Sequence, residues 1–168
     1  MAFAQPALSL KGRALRLLGG REHSRAELER KLKAHEEAPG DLARVLDELQ
    51  ARGFINEQRV VESVINRRAG KLGTARIRQE LQGKGLDPQA VMQAVAGLAA
   101  TELDRAREVW RKKFGQKYGG ASDGQPDPPV VDAAERGKQM RFLAARGFGG
   151  DTIRRVVTGA RDDLPDDA

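Results

Sequence analysis

One apolar template recurs three times along this chain, and that recurrence limits the folds open to it more than any other feature. Take Leu32, Leu81 and Leu143 as anchors. Ten residues beyond them stand Leu42, Val91 and Ile153; thirteen beyond, Val45, Ala94 and Val156; fourteen beyond, Leu46, Val95 and Val157. Four residues before the first two anchors are Leu28 and Ile77, whereas the third has Gln139 there, a departure. Apolar positions three and four apart share one helix face. Each occurrence therefore reads as a helix ending at its anchor, a turn, and a second helix.

The first two anchors are 49 residues apart and the last two 62. The excess of 13 matches Gly119–Val131, a Gly-, Pro- and Asp-rich stretch that reads as an inserted loop. A further helix precedes each pair, at about 10–18, 58–69 and 102–117. The expectation is an all-α chain of three tandem three-helix repeats, over 10–52, 53–99 and 100–161, with the loop 119–131 inside the third. Residues 1–9 are expected to be a flexible N-terminus and 162–168 an acidic, solvated tail. Repeats that contact mainly their neighbours make an elongated, curved array, roughly 50–70 Å long at ~1.5 Å per helical residue.

Start and stop signals agree with this division. Ser24-Arg25-Ala26-Glu27 has capping-box spacing. Asp41, Asn56 and Asp87 are candidate N-caps, the last followed by Pro88 at the first helical position. Thr101 with Asp104 and Asp132 with Glu135 have box-like spacing. Glycines 19–20, 53, 70, 85, 119 and 147 fall where helices should end. Strand signals are poor, with no sustained alternation.

The apolar inventory suits a thin core. Leu, Ile, Val and Phe number 37 of 168 residues, and 32% of the chain is charged. A buried parallel sheet needs long Val/Ile runs that are absent. The absence of cysteine excludes disulfides, thiolate catalysis and Cys-ligated metals. The two histidines, His23 and His35, have no acid or nucleophile at useful spacing. The paired acids Glu36-Glu37 and Asp47-Glu48 point to different helix sides and read as solvated surface. No phosphate-cradling glycine motif is present, and no apolar run approaches the ~20 residues of a membrane span. The expectation is a cytoplasmic, monomeric non-enzyme with no catalytic residues, no metal, no cofactor and no membrane contact.

Charge is the more informative signal. The net charge of +6 is modest but unevenly placed. Residues 59–84 hold seven bases and two acids, 101–118 six bases and three acids, and 36–57 six acids and two bases. Arg67, Arg68 and Lys71 close one helix; Arg76, Arg78 and Lys84 lie on the next, around a Gly73-Thr74 helix entry whose free N–H groups attract anions. These six are the candidate binding residues for a polyanionic or acidic partner, with Arg111, Lys112 and Lys113 second. The plain alternative is solvated helix faces with cations complementing the helix dipoles. Trp110, Phe114 and Tyr118 form an i, i+4, i+8 stripe, expected mainly to pack as core with Tyr118 exposed; bases stacking on it is the other reading. Phe54, Phe142 and Phe148 are expected in the core.

Four stretches then carry a family resemblance. Leu17-Leu18-Gly19-Gly20-Arg21-Glu22-His23-Ser24-Arg25-Ala26-Glu27-Leu28, followed by Lys31-Leu32, resembles the opening of the RecX family, regulators of the bacterial RecA recombinase. Leu49-Gln50-Ala51-Arg52-Gly53-Phe54-Ile55-Asn56 with Arg59 resembles it too. So do Arg67, Lys71-Leu72-Gly73, Ile77-Arg78-Gln79-Glu80-Leu81 and Lys84-Gly85-Leu86 in the middle. Phe142-Leu143-Ala144-Ala145-Arg146-Gly147-Phe148 with Ile153 resembles the final unit. The likeness spans about 10–160; the loop 119–131 and the acidic tail depart from it. It implies three tandem three-helix repeats, and binding to the RecA filament with modulation, mainly inhibition, of its ATPase, recombinase and coprotease activities in DNA repair and the SOS response. Single- or double-stranded DNA would be touched weakly and through phosphates. The alternative is a stand-alone DNA-binding helical module, although no helix carries a compact base-reading set.

Overall fold

A computed structural model describes residues 8–118 and 131–159. Most of the expected N-terminal segment, the loop 119–130, the acidic tail and the Tyr118 side chain lie outside the described residues. Nine α-helices and no strand occur among those described: α1 Leu10–Gly20, α2 Arg25–Leu32, α3 Asp41–Ala51, α4 Glu57–Arg68, α5 Thr74–Gly83, α6 Pro88–Ala99, α7 Glu102–Tyr118, α8 Ala133–Ala144 and α9 Gly150–Thr158. A single 3-10 turn, Lys33–His35, follows α2. The chain is all-α, with three tandem three-helix repeats.

The caps explain most of the boundaries. Ser24 Oγ accepts the Glu27 N–H and the Glu27 carboxylate accepts the Ser24 N–H, the reciprocal box expected from the spacing. Asn56, Asp87 and Asp132 each accept a backbone N–H three residues on, from Arg59, Ala90 and Glu135. Two expectations fail. Asp41 is the first helical residue of α3 rather than its cap; the free N–H groups of Gly40 and Leu42 are taken by Glu36 from upstream. The Thr101 hydroxyl donates back to the Leu98 carbonyl and does not cap α7.

The helices pack as two units. The first holds α1–α3 with Glu57–Val64 of α4, the Leu81 end of α5 and the start of α6 to Val91. The second holds residues 65–80, α6 from Met92, and α7–α9. The three helices of the middle repeat are thus each divided between units. In the first unit Ala14, Leu28, Leu32, Leu42, Leu46, Leu49 and Ile55 form the core. In the second, Ala106, Val109, Leu143, Phe148 and Ile153 are buried, with Trp110, Met140, Phe142, Val156 and Val157 packed around them.

Most template positions are buried, with Val45, Ala94, Val156 and Val157 half-buried. Leu32, Leu81 and Leu143 are at most 3% exposed, and Leu42, Val91, Ile153, Leu46 and Val95 are buried with them. Gln139, the departure, is buried as well, at 1% exposure. Its Oε1 accepts the Trp110 indole N–H at 2.8 Å, while its Nε2 is buried without a hydrogen-bond partner among the described residues. Phe54 corrects the expectation of core packing: it is 46% exposed. After Gly53, whose φ is +75°, both Phe54 and Ile55 N–H groups turn back to the Leu49 carbonyl. Ile55 enters the core at 3% exposure and leaves Phe54 outside. After Gly147 the corresponding turn sends Phe148 inward instead.

Candidate functional site

The basic residues of the α4–α5 region are separated by their surroundings. Arg67 and Arg68 end α4 and both reach Glu80 on α5, Arg68 Nε at 2.8 Å and Arg67 Nη2 at 3.9 Å. Arg76 lies near the start of α5, exposed, with its guanidinium donating to Gln79 at 3.2 Å. Arg68, Leu72, Arg76, Gln79 and Glu80 line one shallow depression. Lys71, in the turn between the helices, is exposed and has no ion pair among the described residues. Arg78 is exposed but stands about 200° around the helix from Arg76, so the two do not share a face. Arg67, Arg68, Lys71 and Arg76 therefore make the candidate cluster, with Glu80 neutralising part of it.

Lys84 leaves the candidate set. It is 8% exposed, and its Nζ lies 2.9 Å from Glu27 Oε1. Arg21 donates to the same oxygen at 3.0 Å, the Ser24 N–H to Oε2, and the Ser24 hydroxyl to the Lys84 carbonyl at 2.5 Å. Burial alone would raise the Glu27 pKa; the bonds from Arg21, Ser24 and Lys84 outweigh it and bring it down to about 2. A cation enclosed this way holds the first unit together and offers nothing to a partner.

The anion-attracting helix entry at Gly73-Thr74 is also corrected. Its N–H groups already have acceptors within the chain: Gly73 donates to the Arg146 carbonyl, Thr74 to the Glu102 carboxylate at 2.8 Å, and Ala75 to the Gly147 carbonyl. Glu102 further accepts from the Gly149 N–H and the Thr152 hydroxyl. Burial opposes its charge, but these donors lower its pKa. Arg105, one turn on, is a structural cation that its linear context conceals. It donates to the carbonyls of Ala69, Leu72 and Leu98 and to the hydroxyls of Thr74 and Thr101.

On α7, Arg111 and Lys112 are exposed and both pair with Glu108, while Lys113 is exposed without a described ion pair. Trp110 and Phe114 are half-buried, and Phe114 meets Phe142 edge-on at 5.1 Å. The Arg146 guanidinium stacks 3.6 Å from the Phe142 ring centroid.

One cationic surface escaped the charge count. Arg13, Arg16, Arg21 and Lys31 border a groove floored by Leu17 and Leu32, with no acid in its lining. Residues 11–21 carry four bases, Lys11, Arg13, Arg16 and Arg21, and no acid, so a short linear window shows the run that a longer one dilutes with Glu22, Glu27 and Glu29. The i, i+3 spacing of Arg13 and Arg16 was the available signal. His23, on the same groove, is 3% exposed; burial lowers its pKa, and its Nδ1 bonds the Arg21 carbonyl. Among the described residues no group of three His, Cys, Asp or Glu side chains is placed to hold a metal ion, and no helix is long and apolar enough to cross a membrane.

Three family models match this chain: the first three-helix domain of RecX at residues 11–49, the second at 56–95 and the third at 124–157. The chain is 51% identical to the regulatory protein RecX of Leptothrix cholodnii over 94% of its own length and 92% of that protein's. The chain belongs to the RecX family. The regulatory protein RecX of Ralstonia nicotianae is 43% identical, over 99% of this chain and 97% of the relative. The RecX fold is seen in the crystal structure of RecX from Lactobacillus salivarius, with a TM-score of 0.68 at 19% identity over 89% of this chain and 93% of that one. The chain is thus a RecX regulator built as a helical repeat. The candidate cluster at the α4–α5 turn falls inside the span matched by the second RecX domain.

Proposed function

We propose that this RecX family member is a non-enzymatic regulator that docks on the RecA–DNA filament and mainly lowers its ATPase, recombinase and coprotease activities, in DNA repair and the SOS response. It acts as a cytoplasmic monomer, and contact of the α4–α5 cations with DNA is weak and through phosphates. The observation that carries this reading is the basic cluster at the α4–α5 turn, with Arg67, Lys71 and Arg76 exposed and Arg68 half-buried against Glu80. A filament repeats its surface, and a chain of tandem repeats can meet several of its subunits. Contacts that are weak singly then gain from effective concentration. Arg111, Lys112 and Lys113 supply secondary contacts.

The test is phosphate release from RecA, single-stranded DNA and ATP with increasing amounts of the purified protein. A progressive fall in rate is expected. An unchanged rate at saturating protein would remove the reading. Tight, sequence-selective duplex binding without RecA would favour a stand-alone DNA-binding module.

A further inference from the structure

The third repeat carries the chain's sole tryptophan. Trp110 is held by one edge, its indole N–H donating to the buried Gln139 amide at 2.8 Å. Phe114 sits against it at a ring separation of 6.2 Å. Trp110 also borders an open depression of about 520 Å³, walled by Arg107, Arg111, Gly115 and Gln116 of α7 and by Val156 of α9. Gly115 lies inside a 17-residue helix, where glycine is unfavourable relative to alanine. A Cβ there would stand 3.0 Å from Arg111 Cγ, so its absence gives the arginine stem room beside the depression.

The lining has no carboxylate. Arg107 and Arg111 do pair with Asp104 and Glu108, but both arginines are well exposed. Exposed ion pairs are weak and exchange readily for another anion. An oriented indole between two exchangeable guanidinium groups matches a flat aromatic ring attached to phosphates. A purely apolar peptide side chain would need the ring but not the cations.

We propose that this depression binds single-stranded nucleic acid, with one base against Trp110 and the flanking phosphates on Arg107 and Arg111. The inference goes beyond the regulatory reading and does not require RecA, so the two can fail separately. Base–aromatic contact of this kind changes affinity by roughly tenfold or more.

The test titrates the full chain with a short oligothymidylate at low salt and follows tryptophan emission, which reports Trp110 alone. Saturable quenching that salt reverses is expected. Labelled oligothymidylate anisotropy should then show roughly tenfold weaker binding for Arg107→Ala with Arg111→Ala, two exposed changes that leave the core intact. Trp110→Phe, which keeps a ring in place, should weaken binding less. Three results overturn the proposal: no binding, binding without a change in emission, or equal quenching by an abasic strand of the same length. Quenching by an acidic peptide but not by the oligonucleotide would assign the depression to a protein partner and overturn it too.

Discussion

Replacing Glu27 by Gln should destabilise the first unit severely, although the two side chains have nearly the same shape. The change keeps the bulk and removes the charge that Lys84 and Arg21 share. Lys84 is 8% exposed, so its ammonium is left in the interior without a counter-charge. The Glu27 pKa falls from 4.5 to about 2 in the folded chain. At 1.36 kcal/mol per pKa unit, that depression corresponds to about 3 kcal/mol of stability at neutral pH. Breaking one side of a buried pair costs about 3–5 kcal/mol in general, which agrees. Because the folded pKa lies below the unfolded one, this stabilisation is present above about pH 4.5 and is lost as pH falls towards 2. Urea unfolding of wild type and variant, followed by circular dichroism, measures the difference. The midpoint of Glu27→Gln should drop at pH 7, and the gap should close as the pH is lowered. Replacing both members of the buried pair by apolar residues, Glu27→Leu with Lys84→Met, should recover only part of the loss, because Arg21 and the buried Ser24 N–H still lose their acceptor. A Glu27→Gln protein as stable as wild type at pH 7 would refute the reasoning.

Other outcomes follow from the same packing. Gly73→Ala would place a Cβ 2.2 Å from the Gly147 carbonyl, backbone against backbone; it should cost about 3 kcal/mol or more, measured by thermal melting. Arg105→Lys leaves carbonyls of Ala69, Leu72 and Leu98 without their shared donor and should cost about 2–3 kcal/mol in the same assay, with an unchanged melting temperature counting against it. His23 is buried with a lowered pKa, so protonation favours the unfolded chain; stability should begin to fall as pH drops below 6.5, and His23→Gln should remove that onset.

The repeat was legible because it rests on periodicity. Leu32, Leu81 and Leu143, with their partners at ten and fourteen residues, had to lie on buried faces whatever the details of the turns. Caps made by local side chains, at Ser24, Asn56, Asp87 and Asp132, were legible for the same reason. What reaches across the chain was not. Glu36 caps α3 from upstream, Glu102 caps α5, and Lys84 closes a buried pair with Glu27, 57 residues away. A linear scan reads each as one more surface charge. Phe54 was misplaced because Ile55 stood ready to take the same core position. The candidate cations were only partly legible: a window sums charge but does not record that Arg76 and Arg78 point to opposite sides of α5.

The central claim is that exposed cations at the α4–α5 turn dock this protein on its filament. Its most direct test measures binding of the labelled protein to preformed RecA–single-stranded-DNA filaments, comparing wild type with Lys71→Glu, Arg76→Glu. The doubly reversed protein should bind roughly tenfold more weakly and with a shallower salt dependence, while its helicity and melting temperature stay unchanged. Equal binding by a folded variant would contradict the account.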